Sequence, residues 1–257
     1  MSAASAPRPA SPLASTTVFI LGAGGLGAPL ALFLAQAGVG HLKIADDDRI
    51  ERSNLHRQIL HTTARIGQSK VESLRESLRN HHPDTRVTPI DARITADNLY
   101  PHLTGCDIVA DGCDNFASRD LLNQACMERG MPLVSGAVSG LEGQVATFFH
   151  GVDPEAPCYR CLYPTLEHRE TPPTCATAGI LGPVAGVVAA LQAIETIRIA
   201  LQRPAQPPGL LLINLLNHQM MRIALPKNPE CPVCRDHITH RPPSKRDDCS
   251  LRPFGLS

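Results

Sequence analysis

Short apolar runs alternate with longer periodic stretches through the first half of the chain. Residues 18–21 are an apolar run of strand length, followed by a glycine-rich turn and an apolar stretch that reaches Ala37. Gly38 and Gly40 stop that stretch, and residues 41–45 form a second strand-length run. A strand, a crossover helix and a second strand within about thirty residues predict a βαβ unit and a parallel sheet. Residues 69–80 predict a helix with Val71, Leu74 and Leu78 on one side. Strands are expected at 87–91, 107–111 and 132–137, with a helix over 115–129 between the last two. Residues 143–150 read as a strand with no helix after it, and 210–214 and 220–224 as an antiparallel pair. The fold class is therefore α/β: a Rossmann-like, mostly parallel sheet extended by antiparallel strands.

The most apolar segment, residues 176–194, approaches membrane-spanning length, but Gly179, Gly182, Pro183 and Gly186 interrupt its first half. Gln192, Glu195 and Arg198 then recur at helical spacing, so it reads as a buried helix reaching about residue 202 and not as a membrane span. Residues 1–16 are rich in Ala, Ser and Pro and read as a disordered leader without the apolar run of a secretory signal. Residues 154–174 read as loop, and 237–257 as a flexible tail. One domain is expected over 17–236, with a glycine-loop half at about 17–137 and a second half at about 138–236.

Charge narrows the partners. Lys plus Arg is 24 and Asp plus Glu is 24, so there is no net field to draw nucleic acid or an anionic membrane. Any anion site must be local. The Gly22-x-Gly24-x-x-Gly27 sequence between a strand and a helix is such a site: glycines let backbone N–H groups approach a phosphate, and the helix N-terminus adds partial positive charge. Asp46 lies nineteen residues past Gly27, at the end of the second strand, where a carboxylate can accept from ribose hydroxyls. This pattern fits a dinucleotide and ATP equally.

The following residues tilt the balance to ATP. The stretch Ser53-Asn54-Leu55-His56-Arg57-Gln58 and then Lys70 bring two cations and amides near the loop, as a triphosphate requires. Asp114-Asn115 follows the strand at 107–111, where Asp114 serves either as a magnesium ligand or as the cap of the next helix. The nine cysteines include Cys158-x-x-Cys161 and Cys231-x-x-Cys234. Two such pairs supply four thiolates for a tetrahedral zinc with no open position, hence a structural site in a reducing compartment, the cytoplasm.

Taken in order, these motifs resemble the adenylating enzymes of the ThiF, MoeB and HesA group, relatives of ubiquitin-activating enzymes. The matching segments are GAGGLG at 22–27, ADDD at 45–48, SNLHRQ at 53–58, 67–70, DGCDN at 111–115, CYRC at 158–161, CATAGILGPVAG at 175–186 and CPVC at 231–234, and together they cover about residues 16–235. The resemblance implies a nucleotide site built from Gly22, Gly24, Gly25, Gly27, Asp46, Asp48, Ser53, Asn54, Arg57, Gln58, Lys70, Asp114 and Asn115. It implies catalytic roles for Arg57, Lys70 and Asp114, the last holding magnesium, and a part for Cys175 in sulfur handling. The implied reaction is ATP-dependent adenylation of the C-terminal glycine of a ubiquitin-like sulfur carrier ending in Gly-Gly. Details at 45–48, 53–58 and 174–186 lean to ThiF, hence to a ThiS-like carrier and thiamine biosynthesis, over a MoaD-like carrier in molybdopterin synthesis. A sulfur donor such as a cysteine desulfurase and a homodimer follow from the same resemblance. In family homodimers an arginine ahead of the first strand reaches the neighbour's nucleotide; here the basic residue ahead of the strand is Arg8. Two other readings compete: a carrier-binding scaffold without activity, and an NAD-dependent oxidoreductase, which leaves Arg57, Lys70 and the zinc cysteines without a purpose.

Overall fold

The computed structural model describes residues 11–165, 180–202 and 208–236. Arg8, Cys175 and the tail at 237–257 lie outside the described residues. The helices and strands run β1 (Thr17–Leu21), α1 (Gly27–Gln36), β2 (His41–Ala45), α2 (Lys70–His81), β3 (Arg86–Ile90), α3 (Leu99–Leu103), β4 (Ile108–Asp111), α4 (Phe116–Arg129), β5 (Leu133–Ser139), β6 (Glu142–Phe148), α5 (Tyr159–Leu162), α6 (Gly182–Ala200), β7 (Gly209–Asn214) and β8 (Gln219–Ala224). The eight strands among the described residues join one sheet in the order β3-β2-β1-β4-β5-β6-β7-β8. The pairs from β3 to β5 are parallel, and those from β5 to β8 are antiparallel. The expected α/β architecture is present, and its parallel and antiparallel parts share a single sheet.

Pleating sorts the strand residues to two faces. Val18 and Ile20 of β1, Leu42 and Ile44 of β2 and Ile108 and Ala110 of β4 pack with α1, α2 and α6. Phe19 and Leu21, Ala45 and Val109 face the opposite layer with Leu99, Leu103, Leu122 and Tyr159. Burial on both faces explains why β1 and β4 read as continuous apolar runs and not as alternating ones. The apolar helix α6 crosses the first of these layers. It is long and apolar enough to cross a membrane by composition, yet its Gln192 amide donates to the backbone carbonyls of Asp111 at 2.7 Å and Val134 at 2.9 Å. Those bonds anchor the helix to β4 and β5.

Two local features differ from the sequence reading. The folded part begins before residue 17: Leu13 is buried, and its carbonyl accepts from the Gly40 N–H. One apolar anchor within an Ala/Ser/Pro-rich stretch is enough to dock it. Helices α3 and α5, of 5 and 4 residues, fall where no helix was expected, because neither is long enough to show a period. The two sheet edges are unlike each other. On β3, Arg86 and Ile90 bond inward to the chain beside β2, which turns Pro89 to the open side where it has no N–H to offer. On β8 every residue is exposed, Met220 and Met221 included.

Candidate functional site

The turn after β1 is built by close backbone approach. Gly22 has φ +101°, in the left-handed region that glycine tolerates. A Cβ on Gly27 would stand 1.8 Å from the Gly22 carbonyl oxygen, so only glycine lets α1 start this close to the strand. The N–H groups of Gly24, Gly25 and Leu26 donate no hydrogen bond among the described residues. They border an open cleft of about 910 Å³ at the carboxyl ends of the parallel strands. In open α/β sheets that is the position of the ligand crevice.

The cleft collects most of the sequence-predicted residues. Gly22, Gly24, Gly25, Asp46, Asp48, Asn54, Arg57, Gln58, Lys70, Asp114 and Asn115 all line it. Two members of the predicted set do not. Gly27 lies beneath the loop and serves the packing just described. Ser53 is exposed outside the cleft, and its hydroxyl donates to Glu51 at 3.2 Å. The cause is local geometry: Arg52–Asn54 is a short 3-10 turn, in which residues three apart share a side. Asn54 and Arg57 therefore face the cleft together, with the Arg57 guanidinium donating to Asn54 Oδ1 at 2.8 Å, and Ser53 is left out.

Asp46 braces the loop before it can serve any ligand. Its Oδ2 accepts from the Ala23 N–H at 2.7 Å and its Oδ1 from the Asp48 N–H at 2.9 Å. Each oxygen keeps a free lone pair. Burial raises the Asp46 pKa above the ordinary carboxylate value, and the nearby Lys70 works against that rise. The Lys70 ammonium is buried and paired with Asp48 at 2.6 Å, so it reaches the cleft on a partner's leash. Asn115, not Asp114, caps α4, accepting from the Ser118 N–H at 2.8 Å. Asp114 is exposed at the cleft and forms no hydrogen bond among the described residues, which leaves its carboxylate available for a cation.

The floor of the cleft is a buried ion pair that sequence reasoning missed. Asp111, fully buried at the end of β4, accepts from Ser135 Oγ at 2.7 Å and lies 3.2 Å from Arg119 Nε. Arg119 also donates to the carbonyls of Cys113 at 2.7 Å and Gly136 at 3.2 Å. One guanidinium thus ties α4 to the ends of β4 and β5. Burial, and then the Asp111 charge, hold the Cys113 thiol far above its ordinary pKa, so it stays protonated in the cleft wall. Replacing Arg119 with Met would leave Asp111 charged and unpaired, at a cost of about 3–5 kcal/mol. Urea unfolding of the Arg119→Met protein measures it; a loss below about 1 kcal/mol would show that the pair does not lock the floor.

The cysteine pairs also converge. Cys158, Cys161, Cys231 and Cys234 have Sγ atoms within 4.8 Å of one another and form a group able to hold a metal ion. Cys158 and Cys231 are 3.7 Å apart and Cys161 and Cys234 3.5 Å. Disulfides require about 2.05 Å. A tetrahedral ion with Zn–S bonds of about 2.3 Å sets sulfur atoms about 3.8 Å apart, which these spacings match. The Asn228 N–H points at Cys161 Sγ from 3.4 Å, a contact that favours thiolate.

A glycine loop, an acidic residue on the next strand and a ligand crevice at the carboxyl ends of parallel strands define a Rossmann-type nucleotide-binding protein. Residues 7–233 match the ThiF family, and the chain belongs to it. It is 42% identical over 223 residues to a SAMP-activating enzyme E1 of Haloferax volcanii, covering 86% of this chain and 81% of that protein. To a sulfur carrier protein adenylyltransferase of Thermus thermophilus it is 39% identical over 232 residues, 89% of this chain and 86% of the relative. The adenylyltransferase and sulfurtransferase MOCS3 of Aedes aegypti is 43% identical over 229 residues, 88% of this chain but 51% of that longer protein. Among solved structures, Escherichia coli MccB with ATP shares the fold at a TM-score of 0.72 and 24% identity, over 87% of this chain and 67% of that one.

Proposed function

We propose that this chain adenylates the C-terminal carboxylate of a ubiquitin-like sulfur carrier protein, using MgATP and releasing pyrophosphate. One observation carries the reading: the fold brings Asp46, Asn54, Arg57, Lys70 and Asp114 to one cleft around the free amides of the glycine loop. The proteins named above as a sulfur carrier adenylyltransferase and a SAMP-activating enzyme support the substrate class.

The residues divide the work by chemistry. The loop amides and the Gly24–Gly25 backbone receive phosphate oxygens. Asp46 accepts from ribose hydroxyls through its free lone pairs. Arg57 and Lys70, steadied by Asn54 and Asp48, set positive charge against the triphosphate. Asp114 would hold magnesium, which offsets charge on the departing pyrophosphate. The carrier's carboxylate is already ionised at neutral pH and needs no general base. Its oxygen bonds to the α-phosphorus, the bond to the bridging oxygen of the β-phosphate breaks, and an acyl-adenylate remains. Rate then comes from alignment and charge. Zinc in the four-cysteine group would be structural, since its four positions are filled by sulfur. The same reading includes a homodimer, a cytoplasmic setting and a sulfur donor such as a cysteine desulfurase acting after adenylation.

Pyrophosphate exchange into ATP tests the reading. Exchange should require a carrier ending in Gly-Gly and vanish when its last glycine is deleted; ThiS-like and MoaD-like carriers assayed side by side show which is served. Absence of exchange with both, zinc and magnesium present, would end the proposal.

A further inference from the structure

A buried histidine outside the predicted set touches the glycine loop from below. His61 is 5% exposed. Its Nε2 lies 2.9 Å from the Ala23 carbonyl oxygen and its Nδ1 3.1 Å from Ser73 Oγ on α2. The directions of these bonds follow from chemistry. A carbonyl only accepts, so Nε2 carries the proton. Arg65 only donates; its Nη1 reaches the Ser73 carbonyl at 2.9 Å and Ser73 Oγ at 3.3 Å. The Ser73 hydroxyl is therefore free to give its proton to Nδ1. Burial first, and Lys70 and Arg65 further, lower the His61 pKa and keep the ring neutral, as this chain of bonds requires.

The consequence falls on the next peptide. No peptide bond is cis among the described residues, and across a trans peptide the C=O of one residue and the N–H of the next point opposite ways. His61 holds the Ala23 C=O toward the core, while Asp46 holds the Ala23 N–H. The Gly24 N–H must then point away from His61. Ala23 is buried, whereas Gly24 lines the cleft, and its amide has no partner among the described residues.

We propose that His61 is a positioning residue for the nucleotide: together with Asp46 it clamps the Ala23 peptide units so that the Gly24 amide is preset toward a phosphate oxygen. This rests on the nucleotide reading above. Without the clamp that peptide can rotate, and the rotation must be reversed each time a phosphate binds.

The test compares His61→Leu, His61→Gln and Ser73→Ala in the full chain, by titration with ATP and by carrier-dependent exchange. The Gln amide can donate to the Ala23 carbonyl from nearly the same place; Leu cannot. His61→Leu should bind ATP about tenfold more weakly, the effect of one lost buried hydrogen bond. The KM for ATP should rise by the same factor while the KM for the carrier is unchanged. His61→Gln should restore most of the loss, and Ser73→Ala should fall between. Loss of stability with unchanged ATP affinity in His61→Leu overturns the inference, as does a Gln variant no better than Leu. Should the Leu variant fail to fold, an unaltered affinity in Ser73→Ala does the same. A wild-type chain that binds no ATP overturns the nucleotide reading itself, and this inference with it; a wild-type chain that binds, with all three variants unchanged, overturns the inference alone.

Discussion

Arg57→Ala should abolish most carrier-dependent exchange, lowering its rate by about 10²–10³, the usual effect of deleting one preorganised donor to transition-state charge. Arg57 is held by Asn54 Oδ1 and lines the cleft beside the free loop amides, so its charge is already placed before the nucleotide arrives. Removal of the side chain costs no packing in the core, and the thermal midpoint should stay near that of the wild-type chain. Steady-state exchange and a melting curve on the same preparation check both statements. A rate within threefold of wild type would mean that Arg57 is a surface charge and that the triphosphate is bound elsewhere. Asn54→Ala, which frees the guanidinium without deleting it, should lie between the two.

Loss of the four-cysteine site should have the largest effect on stability. The four cysteines join the segment after β6 to the end of the described chain, and three of the four are fully buried with Met127 of α4 beside them. Binding free energies of structural zinc reach about 10–16 kcal/mol in small modules. Here the sheet has its own core, and the loss is confined to what the metal joins. Even a loss of about 4 kcal/mol lowers the midpoint of a chain this size by about 8–16 °C. Purified Cys234→Ser protein should contain less than a tenth of the wild-type zinc and melt correspondingly lower. Wild-type protein found to carry no zinc, or a variant with an unchanged midpoint, would remove the metal from the account.

Much of this was open to a reader of the sequence, for identifiable reasons. The β1–loop–α1–β2 unit announces itself because both strands are buried on two faces and the loop needs glycine at fixed places. The cleft residues Asp46, Asn54, Arg57, Lys70 and Asp114 were legible because polar groups follow strand ends in a sheet whose ligand side is known in advance. What stayed hidden needed three dimensions. Arg119 sits on a helix whose charged positions normally face water; only the burial of Asp111 reveals its partner. His61 comes three residues after the predicted ligand Gln58, and nothing in its neighbours distinguishes a core histidine from one that braces a loop. Ser53 falls outside the cleft lining because adjacency in sequence is not adjacency on a 3-10 turn. Leu13 was lost in a composition that otherwise signals disorder.

The unlike edges of the sheet set a limit on accidental growth. Strand addition needs a row of open donors and acceptors, and among the described residues β8 offers one while Pro89 interrupts the row on β3. Two molecules that met edge to edge would join through β8 about a twofold axis and present only proline-guarded strands outward. Such an assembly is closed at its first step. A ribbon or fibre built by this sheet would have to breach β3, so a substitution of Pro89 by a residue with an N–H is the change that turns a self-terminating contact into a propagating one.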